Sequence, residues 1–212
     1  MSRRKIRKNE YYELEKTFCL CNSDLCLNHK YNLYSKIPNE KTQQKRKFVI
    51  SDLNFLVFYG HGTETEMIGQ DKNAMVDIDN AHLLRGWVIY AMACKTAKVL
   101  GPAVIDAGGL AYIGYTDHFN FLPGTHEVFG ECVNTIPLEL GRGKSTGEAL
   151  RIGREKFDYY IEKYKKMYAD EDDSEIKDIY RKTYEYLILN KNSLVLLGNS
   201  YVTINYNLFK YW

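Results

Sequence analysis

No stretch of this sequence approaches the roughly 18 apolar residues that a membrane-spanning helix requires. Its basic N-terminus is not followed by the apolar core of a secretory signal, so no export leader is expected. A paired-cysteine framework is also missing. The five cysteines are an odd number, and Cys94 and Cys132 stand far from Cys19, Cys21 and Cys26. That excludes a disulfide-stapled small domain and makes a reducing, cytoplasmic compartment the expectation. The chain has no internal repeat and no low-complexity tract. An overall charge of +2 is too small to point to a partner class; neither direct nucleic-acid binding nor a membrane is expected.

What is present describes a soluble globular chain. Its 212 residues suffice for one good-sized domain, and 45% hydrophobic with 26% charged content fits that class. Charge is unevenly spread. Residues 1–47 carry twelve Lys/Arg against five Asp/Glu, a net +7, which leaves −5 for the remainder. A basic arm can hold phosphate or an acidic partner, whereas a solvated leader needs no partner at all. The expected organisation is a basic, irregular segment over 1–47 and a folded domain over 48–212.

The folded part opens on Leu53–Tyr59 (LNFLVFY), a continuous apolar and aromatic run that stops at Gly60-His61-Gly62. A strand buried on both faces reads this way. Trp87–Ala93 (WVIYAMA) is a second such run and stops at Cys94. A short helix after Ala103, a stop at Gly108-Gly109 and a third strand at Leu110–Tyr115 follow. Helical spacing returns over Glu131–Leu140. Ser145 and Glu148 form a capping box for the next helix, which Asp170–Asp173 interrupts. Another helix is expected over Ser174–Leu189, then strands at Ser193–Leu197 and Val202–Tyr206. Apolar strands alternating with amphipathic helices predict an α/β domain with a mostly parallel sheet.

In such sheets, sites form beyond the carboxyl ends of strands. His61 and Cys94 each follow directly on a buried strand, which would set them side by side at one edge. A thiol nucleophile needs an imidazole partner and donors for an oxyanion. Glycines on both sides of His61 let the chain turn sharply there. The amides of Gly62 and Cys94 are candidate oxyanion donors. Taken singly, each residue has a plainer reading: Cys94 as a small buried hydrophobe, His61 as a turn residue. The pairing of the two strand ends favours the catalytic reading.

The segments FLVFYGHG and VIYAMAC resemble the signature of clan CD cysteine peptidases, which include caspases, legumain, clostripain, gingipains, separase and CHAT domains. ACKTAKVLGPAVIDAGGLAYIGYTD, LELGRGKSTGEALRIGREKF and LVLLGNS are similar to later CHAT or gingipain segments, so the resemblance spans roughly residues 53–200. It implies a caspase-like three-layer fold with helices on both sheet faces, and a cysteine endopeptidase acting on protein substrates. Cys94 would attack the scissile carbonyl and His61 would act as general base and acid. A regulatory protein partner or a larger effector complex would be in keeping with the family.

Two residues bear on specificity. Clostripain-type relatives carry Asp two residues before the cysteine, where this chain has Met92. That would line an apolar pocket suited to a Leu- or Met-like P1 side chain. Separase and many CHAT domains place an acidic residue past the following strand, and Asp117 matches it; a basic P1 residue would then be favoured. Asp117 reads equally as a turn-former. The family also builds two strands ahead of the histidine-bearing one. Here they would be short and irregular, around Thr17–Cys21 and Tyr31–Tyr34, or part of the sheet edge would come from elsewhere.

Remaining signals carry less. Cys19, Cys21, Cys26 and His29 offer four N/S ligands within eleven residues, but the spacing is not that of a standard zinc knuckle. We read them as three reduced cysteines in a small strand pair and expect neither metal nor cofactor. Gly141–Thr146 invites a phosphate-loop reading, which fails because Leu138 stands where glycine is required and a helix precedes it. His118, His126, Asp117 and Glu127 are too irregularly spaced for a metal site. The rival function is a clan CD fold with an idle dyad, serving as a protein-interaction module. A zinc- or nucleic-acid-binding adaptor led by the basic arm is a third.

Overall fold

The computed structural model describes residues 17–21, 54–69 and 72–204. Its centre is a five-stranded sheet of β1 (Thr17–Cys21), β2 (Asn54–Tyr59), β6 (Trp87–Met92), β7 (Ala111–Tyr115) and β8 (Leu194–Gly198), in that spatial order. The first four strands run parallel and β8 pairs antiparallel with β7. Beyond β2, a smaller sheet holds β3 (His61–Gly62), β4 (Glu66–Ile68) and β5 (Ala74–Asp77). A single 3-10 turn at Ala81–Leu84 leads into β6. The helices are α1 (Leu100–Asp106), α2 (His126–Gly141), α3 (Thr146–Asp170) and α4 (Ser174–Ser193).

Alternation along each strand divides the core into two layers. Phe55, Val57 and Tyr59, then Val88, Tyr90 and Met92, then Ala111, Ile113 and Tyr115 pack toward α2, α3 and α4. Leu56 and Phe58, then Ile89 and Ala91, then Tyr112 pack toward α1, the 3-10 turn and the small sheet, meeting Leu100, Leu84 and Met67. A period of two with both faces covered is why these strands are apolar throughout. Burial of each large side chain contributes about 1.5–3 kcal/mol. The buried Tyr90 hydroxyl donates to the Val133 carbonyl at 2.7 Å, so this ring enters the core without stranding its polar tip.

The capping box at the start of α3 is formed: Ser145 Oγ accepts from the Glu148 amide, and Glu148 accepts from the Ser145 amide. Gly153 brings α3 close to α2, since a Cβ there would lie 2.9 Å from Ile136 Cδ1. The residues before Gly141 are helix α2, in keeping with the rejection of a phosphate loop. The strand β1, inside the basic segment, pairs with β2 from Thr17↔Phe55 to Cys21↔Tyr59. One of the two segments suggested for an early strand thus supplies the sheet edge; Tyr31–Tyr34 lies outside the described residues.

Some expectations need correction. The helix after Cys94 starts at Leu100 rather than Ala103, and α2 starts five residues before Glu131. No strand forms at Val202–Ile204; Thr203 makes only an isolated antiparallel bridge with Ser145, and residues 205–212 lie outside the described part. The small sheet over 61–77 was not foreseen, because strands of two to four residues are too short to show a period. Among the described residues, no helix is long and apolar enough to cross a membrane.

Candidate active site

The β2–β6 register pairs Tyr59 with Met92, and the Gly60 amide extends the ladder by donating to the Met92 carbonyl at 3.1 Å. His61 and Cys94 each lie two residues past that last pair, His61 in β3 and Cys94 in the turn after β6. Both residues therefore leave the carboxyl ends of adjacent parallel strands, the edge where open α/β sheets form sites. His61 is exposed and Cys94 is half-buried.

Past His61 the chain folds back as the β3–β4 hairpin, with His61 opposite Ile68 and Gly62 opposite Met67. The Thr63 amide donates to the Glu66 carbonyl at 2.9 Å, making 63/66 a hydrogen-bonded pair. Alternation then makes 62/67 a non-hydrogen-bonded pair. The Gly62 amide consequently points away from β4 and stays out of the hairpin ladder. A Cβ on Gly62 would lie 3.0 Å from the Cys94 carbonyl oxygen and 3.1 Å from Ala93 Cβ, and would collide with the Thr96 methyl. Only glycine allows the hairpin this close to the cysteine turn.

Cys94 enters a turn whose next residue, Lys95, has φ +61°. The left-handed region is unfavourable for a residue with a Cβ, and such strain collects at functional turns. The surrounding hydrogen bonds hold it there. The Lys95 amide donates to the Asp117 carbonyl at 3.1 Å, the Ala97 amide to the Tyr115 carbonyl at 3.0 Å, and the Lys98 amide to the Lys95 carbonyl at 2.9 Å. The cysteine turn is thereby fastened to the carboxyl end of β7. It is fastened to the hairpin as well. The Leu100 amide donates to the Glu64 carbonyl at 2.8 Å, and Lys98 Nζ pairs with Glu64 at 2.6 Å. This pair holds the Glu64 carboxyl below its ordinary range and the Lys98 ammonium above its own.

The Cys94 sulfur accepts a hydrogen bond from the Phe119 amide at 3.4 Å. Sequence reasoning had no means of seeing this donor. The Phe119 ring is wedged against Tyr115 and Phe129, with centroids 5.1 and 6.3 Å away. Cys132 contrasts with Cys94. It is fully buried in the core, and burial pushes its thiol far above the usual range.

Of the two specificity candidates, Asp117 is exposed at the rim of the cysteine turn. Its carboxylate accepts from the His118 amide at 2.7 Å, and its charge helps to raise the Lys98 ammonium after the larger effect of Glu64. Met92 sits elsewhere: it is 3% exposed and packed in the layer facing α2–α4. Strand alternation turns it into the core, so in this conformation it fills space rather than walling an open pocket. The zinc suggestion at Cys26 and His29 lies outside the described residues, as do the side chains of Cys19 and Cys21.

A thiol with a hydrogen-bond donor, a neighbouring imidazole-bearing turn and an amide left out of its ladder are together the parts needed for acyl transfer. No family model, no curated protein and no solved structure matches this chain.

Proposed function

We propose that this chain is a cysteine endopeptidase of caspase-like fold, with Cys94 as nucleophile and His61 as general base and acid. The observation that carries this reading is the parallel β2–β6 pairing, which ends at Tyr59–Met92, so that His61 and Cys94 follow the carboxyl ends of adjacent strands. His61 takes the thiol proton, and the thiolate attacks the substrate carbonyl. The tetrahedral oxyanion is received by the amides of Gly62 and Cys94. His61 then gives its proton to the leaving amine, and water hydrolyses the thioester. Asp117 offers a carboxylate to a basic P1 side chain. Work on protein substrates in the cytoplasm, under control of a regulatory partner or within a larger effector assembly, completes the reading.

One observation favours the second reading, a protein-interaction module with an idle dyad. The hydrogen bond to the Cys94 sulfur comes from the Phe119 amide, and His61 is exposed. A proteome-derived peptide digest with wild type and Cys94→Ala decides between them. Cleavage that needs Cys94 supports the peptidase; an uncleaved library, with Cys94 no more reactive toward iodoacetamide than an ordinary thiol, leaves the module.

A further inference from the structure

Asn190 is a fully buried polar residue in the last turn of α4. Its side-chain oxygen accepts from the Asn120 amide at 2.9 Å, and its side-chain nitrogen donates to the Asn120 carbonyl at 2.7 Å. A single side chain thus holds both main-chain groups of one loop residue, and that residue directly follows Phe119, whose amide donates to the Cys94 sulfur. The helix end carrying Asn190 is itself held. The Leu194 amide donates to the Asn190 carbonyl, Ser193 Oγ donates to the same carbonyl at 3.1 Å, and Arg154 donates to the Leu194 carbonyl at 2.6 Å. On the other side of the loop, the Thr116 amide donates to the Ser193 carbonyl at 2.8 Å. The α4–β8 junction therefore grips the loop on both sides of Phe119.

We propose that Asn190 is a positioning residue for Cys94: it holds the 117–120 loop so that the Phe119 amide stays on the sulfur and favours the thiolate. The inference rests on the reading of Cys94 as the nucleophile, but its geometry is separate from the His61 arm. A donor aimed at a thiolate stabilises the charged form and not the neutral one. Buried polar groups of this kind are effective only when every partner is in place.

The test is the pH profile of Cys94 alkylation by iodoacetamide in the full chain, read by mass spectrometry of the Cys94 peptide. Asn190→Leu keeps the branched shape and the number of side-chain heavy atoms and removes both hydrogen bonds. It should raise the midpoint of the profile and slow alkylation below it. Asn190→Ala should do the same and serves if the leucine variant does not fold. Thr183→Val, which deletes a buried hydroxyl bonded only within α4, should leave the midpoint where it is. A folded Asn190→Leu or Asn190→Ala chain with the wild-type midpoint overturns the proposal. So does rapid hydrogen exchange at the Asn120 amide of the wild-type chain, which needs no variant. The dyad and the clamp fail separately. A midpoint that moves with Asn190→Leu but ignores His61→Ala removes the dyad and keeps the clamp; the converse removes the clamp alone.

Discussion

Gly62 and Cys94 meet through their main chains: a Cβ at position 62 would stand 3.0 Å from the Cys94 carbonyl oxygen. The hairpin that carries His61 therefore rests directly on the turn that carries the sulfur. Backbone contact at this range transmits small displacements, because neither partner has a flexible side chain to absorb them.

Gly62→Ala should consequently cost both stability and activity. The added methyl meets Ala93, Cys94 and Thr96, an overpacking expected to cost about 1–3 kcal/mol. A shift near 1 Å between reacting groups is expected to lower kcat/KM roughly a hundredfold. Urea unfolding and peptide hydrolysis on the same preparation measure both. Full activity in a destabilised Gly62→Ala chain would separate this contact from catalysis.

Cys94→Ala should abolish cleavage and leave the melting curve close to that of wild type, since a half-buried thiol at a turn contributes little packing. His61→Ala should lower the rate by about a thousandfold, within the range expected for a general base, because members of a catalytic pair act as a unit. In the folded chain, iodoacetamide should label Cys94 and spare Cys132, whose thiol is buried and held protonated. Cleavage that survives Cys94→Ala would mean that another group is the nucleophile.

Specificity can be assigned to charge or to turn geometry with one substitution. Asp117 both carries a carboxylate at the rim and accepts a hydrogen bond from the His118 amide. Asp117→Asn keeps an acceptor for that amide and removes the charge. Peptide profiling should then show the preference for Arg or Lys at P1 falling by about tenfold or more, as loss of a charge-assisted pair implies. An unchanged P1 profile in Asp117→Asn would reduce Asp117 to a turn-former. Because Met92 is buried, Met92→Leu should leave the profile alone.

The α3 cap predicts a pH dependence that is independent of catalysis. Hydrogen bonds from the Ser145 amide and hydroxyl, the largest effects, hold the Glu148 carboxyl below its ordinary value of 4.5. A carboxyl depressed by folding stabilises fully above its unfolded value, and that contribution is lost as pH falls through the folded one. The stability gap between wild type and Glu148→Gln should therefore be complete at neutral pH and close progressively below about 4.5. Chemical unfolding at several pH values checks this; a gap that persists unchanged into strong acid would rule out the charged cap. Ser145→Ala should itself cost about 1 kcal/mol at neutral pH, the usual worth of an N-cap.

Much of the sheet was legible because its strands bury both faces and so appear as unbroken apolar runs at 53–59, 87–93 and 110–115. The ends of those runs located His61 and Cys94 on one edge. The buried face of α4 was not read in full: Thr183, Leu187 and Asn190 recur four and three residues apart and are all fully buried, but the expected helix stopped at Leu189, short of Asn190. A polar residue on a buried face signals a specific partner, but nothing local names that partner when it lies 70 positions away. The left-handed Lys95 was not foreseeable, since lysine has no preference for that region and only the hydrogen bonds around it hold it there.

By itself, the sequence determined the elements and the edge: which segments run as buried strands, where α3 is capped, and that a histidine and a cysteine each follow a strand. These are local properties, set by side-chain period and by caps within a few residues of one another. Tertiary structure alone decided which sheet neighbours the strands take, that Gly62 rests on Cys94, that Met92 turns inward, and that the Phe119 amide reaches the sulfur under the hold of Asn190. Each of these depends on contacts between residues distant along the chain. Such contacts are set by the register and close packing of whole elements, and no short window of sequence contains them.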